Sequence, residues 1–237
     1  MKRLPILFGT ITAGMLVYAF CQAMFIAPTE ATMGNVQRIF YYHLPSAWIA
    51  FLLFFANFLA SIWYIVRRSR GADALALATA EVGVSFCTIV LLTGPIWARP
   101  IWGIWWTWDA RLTSTLVLWL IYVSYLVLRH YGTGGQVPVL AAALGIFGFI
   151  DVPIVYMAIR WFRTQHPQPV IGGGEGSGLH PAMWTAVLWN LAAFAMLALM
   201  FVWIRYRQAL AEHALEEAHA QAALDYETEE HNESRSA

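Results

Sequence analysis

Six long apolar runs decide most of what this chain can become. They occupy residues 4–27, 47–66, 74–97, 112–128, 137–159 and 182–204. Each is long enough to cross a hydrocarbon layer of roughly 30 Å at about 1.5 Å of rise per helical residue. The runs are continuously apolar rather than alternating, which predicts helices and not barrel strands. Composition agrees: 59% of residues are hydrophobic and 12% charged, and the mean hydropathy is +0.57. Soluble domains carry about 25% charged residues. A soluble globular domain, a disordered chain and a nucleic-acid binder are therefore excluded. The predicted class is all-α: a polytopic membrane protein with six transmembrane helices, residues 1–207, followed by an acidic tail, 208–237.

The first run follows Lys2 and Arg3, as a secretory signal would, but it is too long for a signal core and lacks a small-x-small cleavage site. It is read as the first span. The formal charge of zero hides an asymmetry. Residues 1–207 hold thirteen Lys/Arg against six Asp/Glu, whereas 208–237 hold one against eight. Lys and Arg in short connections mark the cytoplasmic side. Lys2, Arg3, Arg67, Arg68, Arg70, Arg129, Arg205 and Arg207 fall on one side; Arg38, Arg99, Arg111, Arg160 and Arg163 fall on the other. Both termini are thus expected to be cytoplasmic, with connections 28–46, 98–111 and 160–181 outside. The tail is expected to continue the sixth helix through Ala223 and to lose order beyond Asp225.

Cys21 and Cys87 both lie in apolar runs and form no metal or redox motif. No phosphate-binding loop is present, so ATP hydrolysis is not expected of this chain. Two carboxylates, Glu81 and Asp151, lie inside predicted spans, where an ionisable group is a functional candidate by default. Asp151 stands two residues before Pro153 and is read first as a partner for the backbone that proline leaves unpaired. Glu81 is left to pair with an inner arginine or a partner subunit.

The outer connection between spans three and four carries the chemistry. From Trp97 through Trp102, Trp105 and Trp106 to Trp108 it places five Trp in twelve residues, followed by Asp109 and Arg111. One such Trp is a membrane-interface residue. Five, shaped by Gly94, Pro95, Pro100 and Gly103, make an apolar platform for a large planar ligand. Arg99 and Arg111 flank it, and guanidinium groups grip carboxylates in pairs; snorkelling toward lipid phosphate is the other reading of each. Asp109 either orients such a group or caps the fourth helix. A planar apolar ring with acidic arms describes haem, whose iron takes an axial ligand, usually His. Four of the seven His lie at the inner end of span four (His130) or in the tail (His213, His219, His231). His43, His166 and His180 share the outer side with the Trp segment, and His180 before Pro181 reads as a helix cap.

Trp102-Gly-x-Trp105-Trp106-x-Trp108-Asp109-x-Arg111-Leu-Thr113 resembles the WWD signature of the haem-handling proteins of cytochrome c biogenesis. Arg38…His43-x-Pro45 and Trp161-Phe-Arg-Thr-x-His166 resemble the flanking segments of the CcmC family within that group. The likeness covers about residues 1–205 and leaves out the acidic tail. It implies haem (haem b, as cargo rather than resident cofactor), His43 and His166 at the iron, and Trp102, Trp105, Trp106, Trp108, Asp109, Arg111, Arg99 and Arg38 around the macrocycle. His180 stands where that family tends to have Asp-Pro, which supports the cap. The resemblance further implies a multi-pass protein of the bacterial inner membrane that is not itself an enzyme. Its expected partners are a periplasmic haem chaperone of the CcmE type, ABC transporter subunits of the CcmA and CcmB types, a small membrane subunit of the CcmD type and the lipid bilayer, with no nucleic acid. A six-span secondary transporter and a haem-based electron-transfer protein remain the alternatives.

Overall fold

The computed structural model describes residues 3–167 and 178–236, with side chains through residue 226. Six helices among these residues are long and apolar enough to cross a membrane. They are α1 (Arg3–Cys21), α2 (Phe40–Arg67), α3 (Arg70–Trp102), α4 (Ala110–Tyr131), α5 (Val137–Trp161) and α6 (Pro181–Ser236). A π-helical turn, Gln22–Ile26, extends α1, and a 3-10 turn, Asn35–Ile39, leads into α2. Six membrane-spanning helices were expected and six are present, with α2 and α3 reaching beyond their apolar runs at the proline-bearing ends. α6 continues through Ser236, past Asp225, where composition suggested an end to order.

Two helices are longer at the tryptophan end than the apolar runs implied. Pro45 sits inside α2, and Pro95 and Pro100 sit inside α3. Proline normally marks a boundary because it leaves a carbonyl without its N–H partner. Within a bilayer a helix that stops exposes still more backbone, so the helix runs on through the proline instead. Next to Pro45, Ser46 Oγ donates to the Tyr42 carbonyl at 2.7 Å. α3 ends only at Gly103, whose left-handed φ of 77° closes the helix with its N–H on the Arg99 carbonyl at 3.0 Å. His43 is consequently a helical residue of α2, and Trp97, Arg99 and Trp102 belong to α3. The true connection is reduced to residues 103–109.

The core lies between α2, α3, α4 and α5. Lipid offers no hydrophobic drive for helix association, so close packing between small residues takes its place. α3 presents Ala74, Ala76, Ala78 and Ala80, all buried. Phe54 of α2 stacks on Tyr122 of α4 with centroids 3.9 Å apart. A Cβ on Gly145 of α5 would fall 2.5 Å from Asn57 Oδ1 of α2, so only glycine allows that approach. α1 is peripheral; Asn190 of α6 reaches it through the Ala19 carbonyl at 3.1 Å.

The arginine-rich end is held by ion pairs between helices. Arg129 of α4 grips Asp73 of α3 with two bonds of 2.8 Å, and His213 of α6 adds a third contact to Asp73 at 3.2 Å. Glu81 receives Arg205 of α6 at 2.5 and 2.8 Å, so the first intramembrane carboxylate has an inner arginine as its partner. Asp151 Oδ2 is buried and has no hydrogen-bond partner among the described residues.

Candidate functional site

His43 lies in the second turn of α2, and its ring packs edge-on against Trp97 of α3, centroids 6.1 Å apart. Its Nδ1 is 2.8 Å from Thr93 Oγ1, also on α3. His166 lies beyond the end of α5, and its Nδ1 is 2.9 Å from the Pro167 carbonyl. A carbonyl oxygen can only accept, so the His166 Nδ1 carries the proton and its Nε2 carries the lone pair. Burial, then the positive charge of Arg111, holds the His166 pKa down, at about 4. The imidazole is therefore neutral at pH 7, the form in which it ligates a metal.

The two rings stand with centroids 6.5 Å apart and planes inclined by 36°. Metal–imidazole bonds of about 2.0–2.1 Å on opposite sides of one ion, with ring radii of about 1.1 Å, place two centroids roughly 6.3 Å apart. The observed spacing thus suits a single ion between the rings. In each ring an oxygen is engaged at Nδ1, which leaves Nε2 as the candidate ligand atom and supplies the outer hydrogen bond that ligating histidines usually have.

A cleft lined by both rings runs among α2, α3, α4 and α5 as far as Ala50 and Cys87. Ligand sites are mostly apolar with a few placed polar groups. Here His43, His166, Arg111 and Thr115 are the polar groups in an otherwise apolar wall.

The tryptophan segment does not form one flat platform. Trp97, Trp102 and Trp106 line the cleft, whereas Trp105 and Trp108 are 59% and 76% exposed. Trp106 and Trp108 meet at 76°, edge to face. The segment therefore divides into a wall and an outward rim, and the cleft sinks into the bundle rather than lying across its surface.

The three arginines separate as well. Arg111 lines the cleft and donates from Nη1 to the Val155 carbonyl at 2.6 Å and the Tyr156 carbonyl at 3.3 Å, near the negative end of α5. Arg99 is exposed and bonds the Gly103 carbonyl at the end of its own helix. Arg38 is occupied with the Ala23 carbonyl at 2.5 Å, Asn35 Oδ1 at 3.2 Å and Thr29 Oγ1 at 3.3 Å, tying α2 to the end of α1. Asp109 caps α4, its Oδ1 accepting from Leu112 N at 3.0 Å, while Oδ2 accepts from Gln165 N at 3.3 Å. His180 caps α6, its Nδ1 accepting from Ala182 N at 3.3 Å, as the adjoining Pro181 suggested. Sequence reasoning missed Thr93 and the depth of the cleft. Thr93 lies within the third apolar run; its contact with His43 arises because α2 begins at Phe40, ahead of Pro45, and carries His43 alongside α3.

The fold and site define the class: a polytopic helical membrane protein with an apolar cleft lined by two imidazoles and one arginine. The family model for "Heme exporter protein C" matches residues 1–221. The chain is 34% identical to a Heme exporter protein C of Bradyrhizobium diazoefficiens over 73% of its length and 66% of that protein. It is 32% identical to the Heme exporter protein C of Escherichia coli K12, over 76% of this chain and 73% of the relative. A "putative cytochrome c biosynthesis ccmC-like mitochondrial protein" of Marchantia polymorpha is 30% identical over 78% of this chain and 79% of its own. The chain belongs to the haem exporter protein C family.

Proposed function

We propose that the chain binds haem in the cleft at its outward-facing end and hands it to a periplasmic haem chaperone of the CcmE type during c-type cytochrome biogenesis. The spacing of His43 and His166 carries this reading, because it matches two imidazoles on opposite faces of one iron. Both rings have an oxygen at Nδ1, which leaves Nε2 available. Trp97, Trp102 and Trp106 supply apolar walls for a macrocycle, and Arg111 supplies a positive charge for one carboxylate arm. Arg99, at the rim, is available to the other arm. Trp105 and Trp108 form the outward surface against which the chaperone docks. Arg38 and Asp109 act on the site through the backbone they hold.

The haem is cargo, haem b, and must leave. Two neutral nitrogen ligands at the mouth of the cleft, one of them on a connection between helices, suit exchange better than a ligand pair deep in a bundle. The family relationship supports assembly with ABC transporter subunits of the CcmA and CcmB types and a small CcmD-type subunit, in the bacterial inner membrane with both termini cytoplasmic. ATP is used by those partners. The transporter alternative loses support, since Glu81 and Asp73 are paired with arginines.

The test is optical. Full-length protein co-expressed with its chaperone and purified in detergent should show a Soret band, and His43→Ala or His166→Ala should abolish or shift it. Unchanged spectra in both variants would reject axial ligation by this pair.

A further inference from the structure

Among the described residues, Thr93 makes the one side-chain hydrogen bond to His43, and its own proton is already placed. Its Oγ1 lies 2.6 Å from the Ile89 carbonyl one turn back, and 2.8 Å from His43 Nδ1. A hydroxyl has one proton and two lone pairs. The Ile89 carbonyl can only accept, so the proton goes there and Thr93 turns a lone pair to His43. The imidazole must then carry its proton on Nδ1 and its lone pair on Nε2. The same helix contains an internal control. Thr88 Oγ1 donates to the Val84 carbonyl at 2.8 Å and accepts from Trp119 Nε1 at 2.8 Å. An indole N–H can only donate, so a back-bonded threonine of α3 demonstrably acts as an acceptor. Gly94 and Trp97 complete the seat: a Cβ on Gly94 would lie 3.6 Å from His43 Cε1, and the Trp97 ring stands edge-on.

We propose that Thr93 is the positioning residue of the haem site: it holds His43 as the Nε2 ligand tautomer and, by accepting from Nδ1–H, makes that nitrogen a stronger donor to iron. The inference rests on the ligation reading above. Outer hydrogen bonds of this kind fix the tautomer and raise ligand basicity, and their loss typically weakens metal binding about 10–100-fold. A stronger donor favours ferric over ferrous iron, so Thr93 also lowers the reduction potential of bound haem.

The experiment titrates haemin into detergent-purified full-length wild type, Thr93→Val, Thr93→Ser and His43→Ala, reading the dissociation constant, the Soret maximum and the midpoint potential. Valine keeps the shape and removes the acceptor. Thr93→Val is expected to weaken binding about tenfold or more and to raise the midpoint potential, and Thr93→Ser to restore both. If Thr93→Val does not accumulate, Thr93→Ala makes the same comparison. A midpoint potential unchanged in Thr93→Val while His43→Ala shifts it overturns the role of Thr93. A midpoint and Soret band unchanged in His43→Ala overturn the ligation reading itself, and the proposal with it.

Discussion

Asp109 and Gln165, far apart in sequence, are joined at the mouth of the cleft, where the Gln165 N–H donates to Asp109 Oδ2 at 3.3 Å. The other carboxylate oxygen caps α4 through Leu112 N. One side chain thus fixes both the tryptophan connection and the segment that carries His166. Asparagine has a single acceptor oxygen, so Asp109→Asn should keep the cap and release Gln165, whereas Asp109→Ala loses both. Alanine at the cap costs about 1 kcal/mol. Thermal unfolding in detergent should therefore drop for Asp109→Ala and stay near wild type for Asp109→Asn, while haemin affinity falls in both. Wild-type affinity in Asp109→Asn would show that the Gln165 contact does not position His166.

Arg111 performs two tasks that a substitution can separate. Its Nη1 bridges the Val155 and Tyr156 carbonyls, and its charge faces the cleft. A hydrogen bond to a charged group contributes about 1.5–3 kcal/mol. Lysine keeps the charge without the planar fork, and glutamine removes the charge. Arg111→Lys is expected to lose stability yet retain most haemin binding, and Arg111→Gln to lose both. If a titration finds Arg111→Gln binding haemin as tightly as wild type, the guanidinium has no part in holding a carboxylate arm.

At the opposite end, Asp73 and Arg129 form a nearly dry pair, with side-chain exposures of 6% and 10%. Removing one member of such a pair costs about 3–5 kcal/mol because the other charge stays buried, while replacing both with apolar groups is often neutral. Asp73→Asn should sharply reduce the unfolding temperature in detergent, and Asp73→Leu with Arg129→Met should recover most of it. His213 shares Asp73, so α6 should loosen with it, which limited proteolysis of the tail would report. The Soret band should not move in any of these variants that folds. A double variant no more stable than Asp73→Asn would mean that the pair contributes through geometry rather than charge balance.

The six helices were legible because the period of apolar residues needs no tertiary knowledge: a run of that length has few other fates. Their ends were less so. Pro45 and Pro100 fall outside the apolar runs, but α2 begins at Phe40 and α3 closes only at Gly103, so both prolines lie inside helices. The same lengthening explains the site. His43 and His166 could be named from their neighbours and from the family likeness, but Thr93 becomes a contact of His43 only because α2 starts ahead of Pro45 and sets His43 beside α3. Arg38, Arg99 and Arg111 look alike in sequence, and which of them faces the cleft depends on carbonyls supplied by other helices. Glu81 could be assigned an inner arginine in general but not Arg205 in particular, because that residue lies on the last helix.

His180 provides the sharpest check on the choice of histidine in the third outer connection. Its Nδ1 accepts from Ala182 N at 3.3 Å, the bond an N-cap makes to the second helical residue, and its side chain is exposed. Asparagine is among the best caps, so His180→Asn should match wild type in unfolding temperature, Soret band and loading of the chaperone. Alanine lacks the acceptor, so His180→Ala should be less stable by about 1 kcal/mol with an unaltered spectrum. The contrast with His166→Ala is then in the spectrum alone, since neither substitution touches the core. Loss of the Soret band in His180→Asn, with retention in His166→Ala, would transfer the iron ligand from one end of that connection to the other.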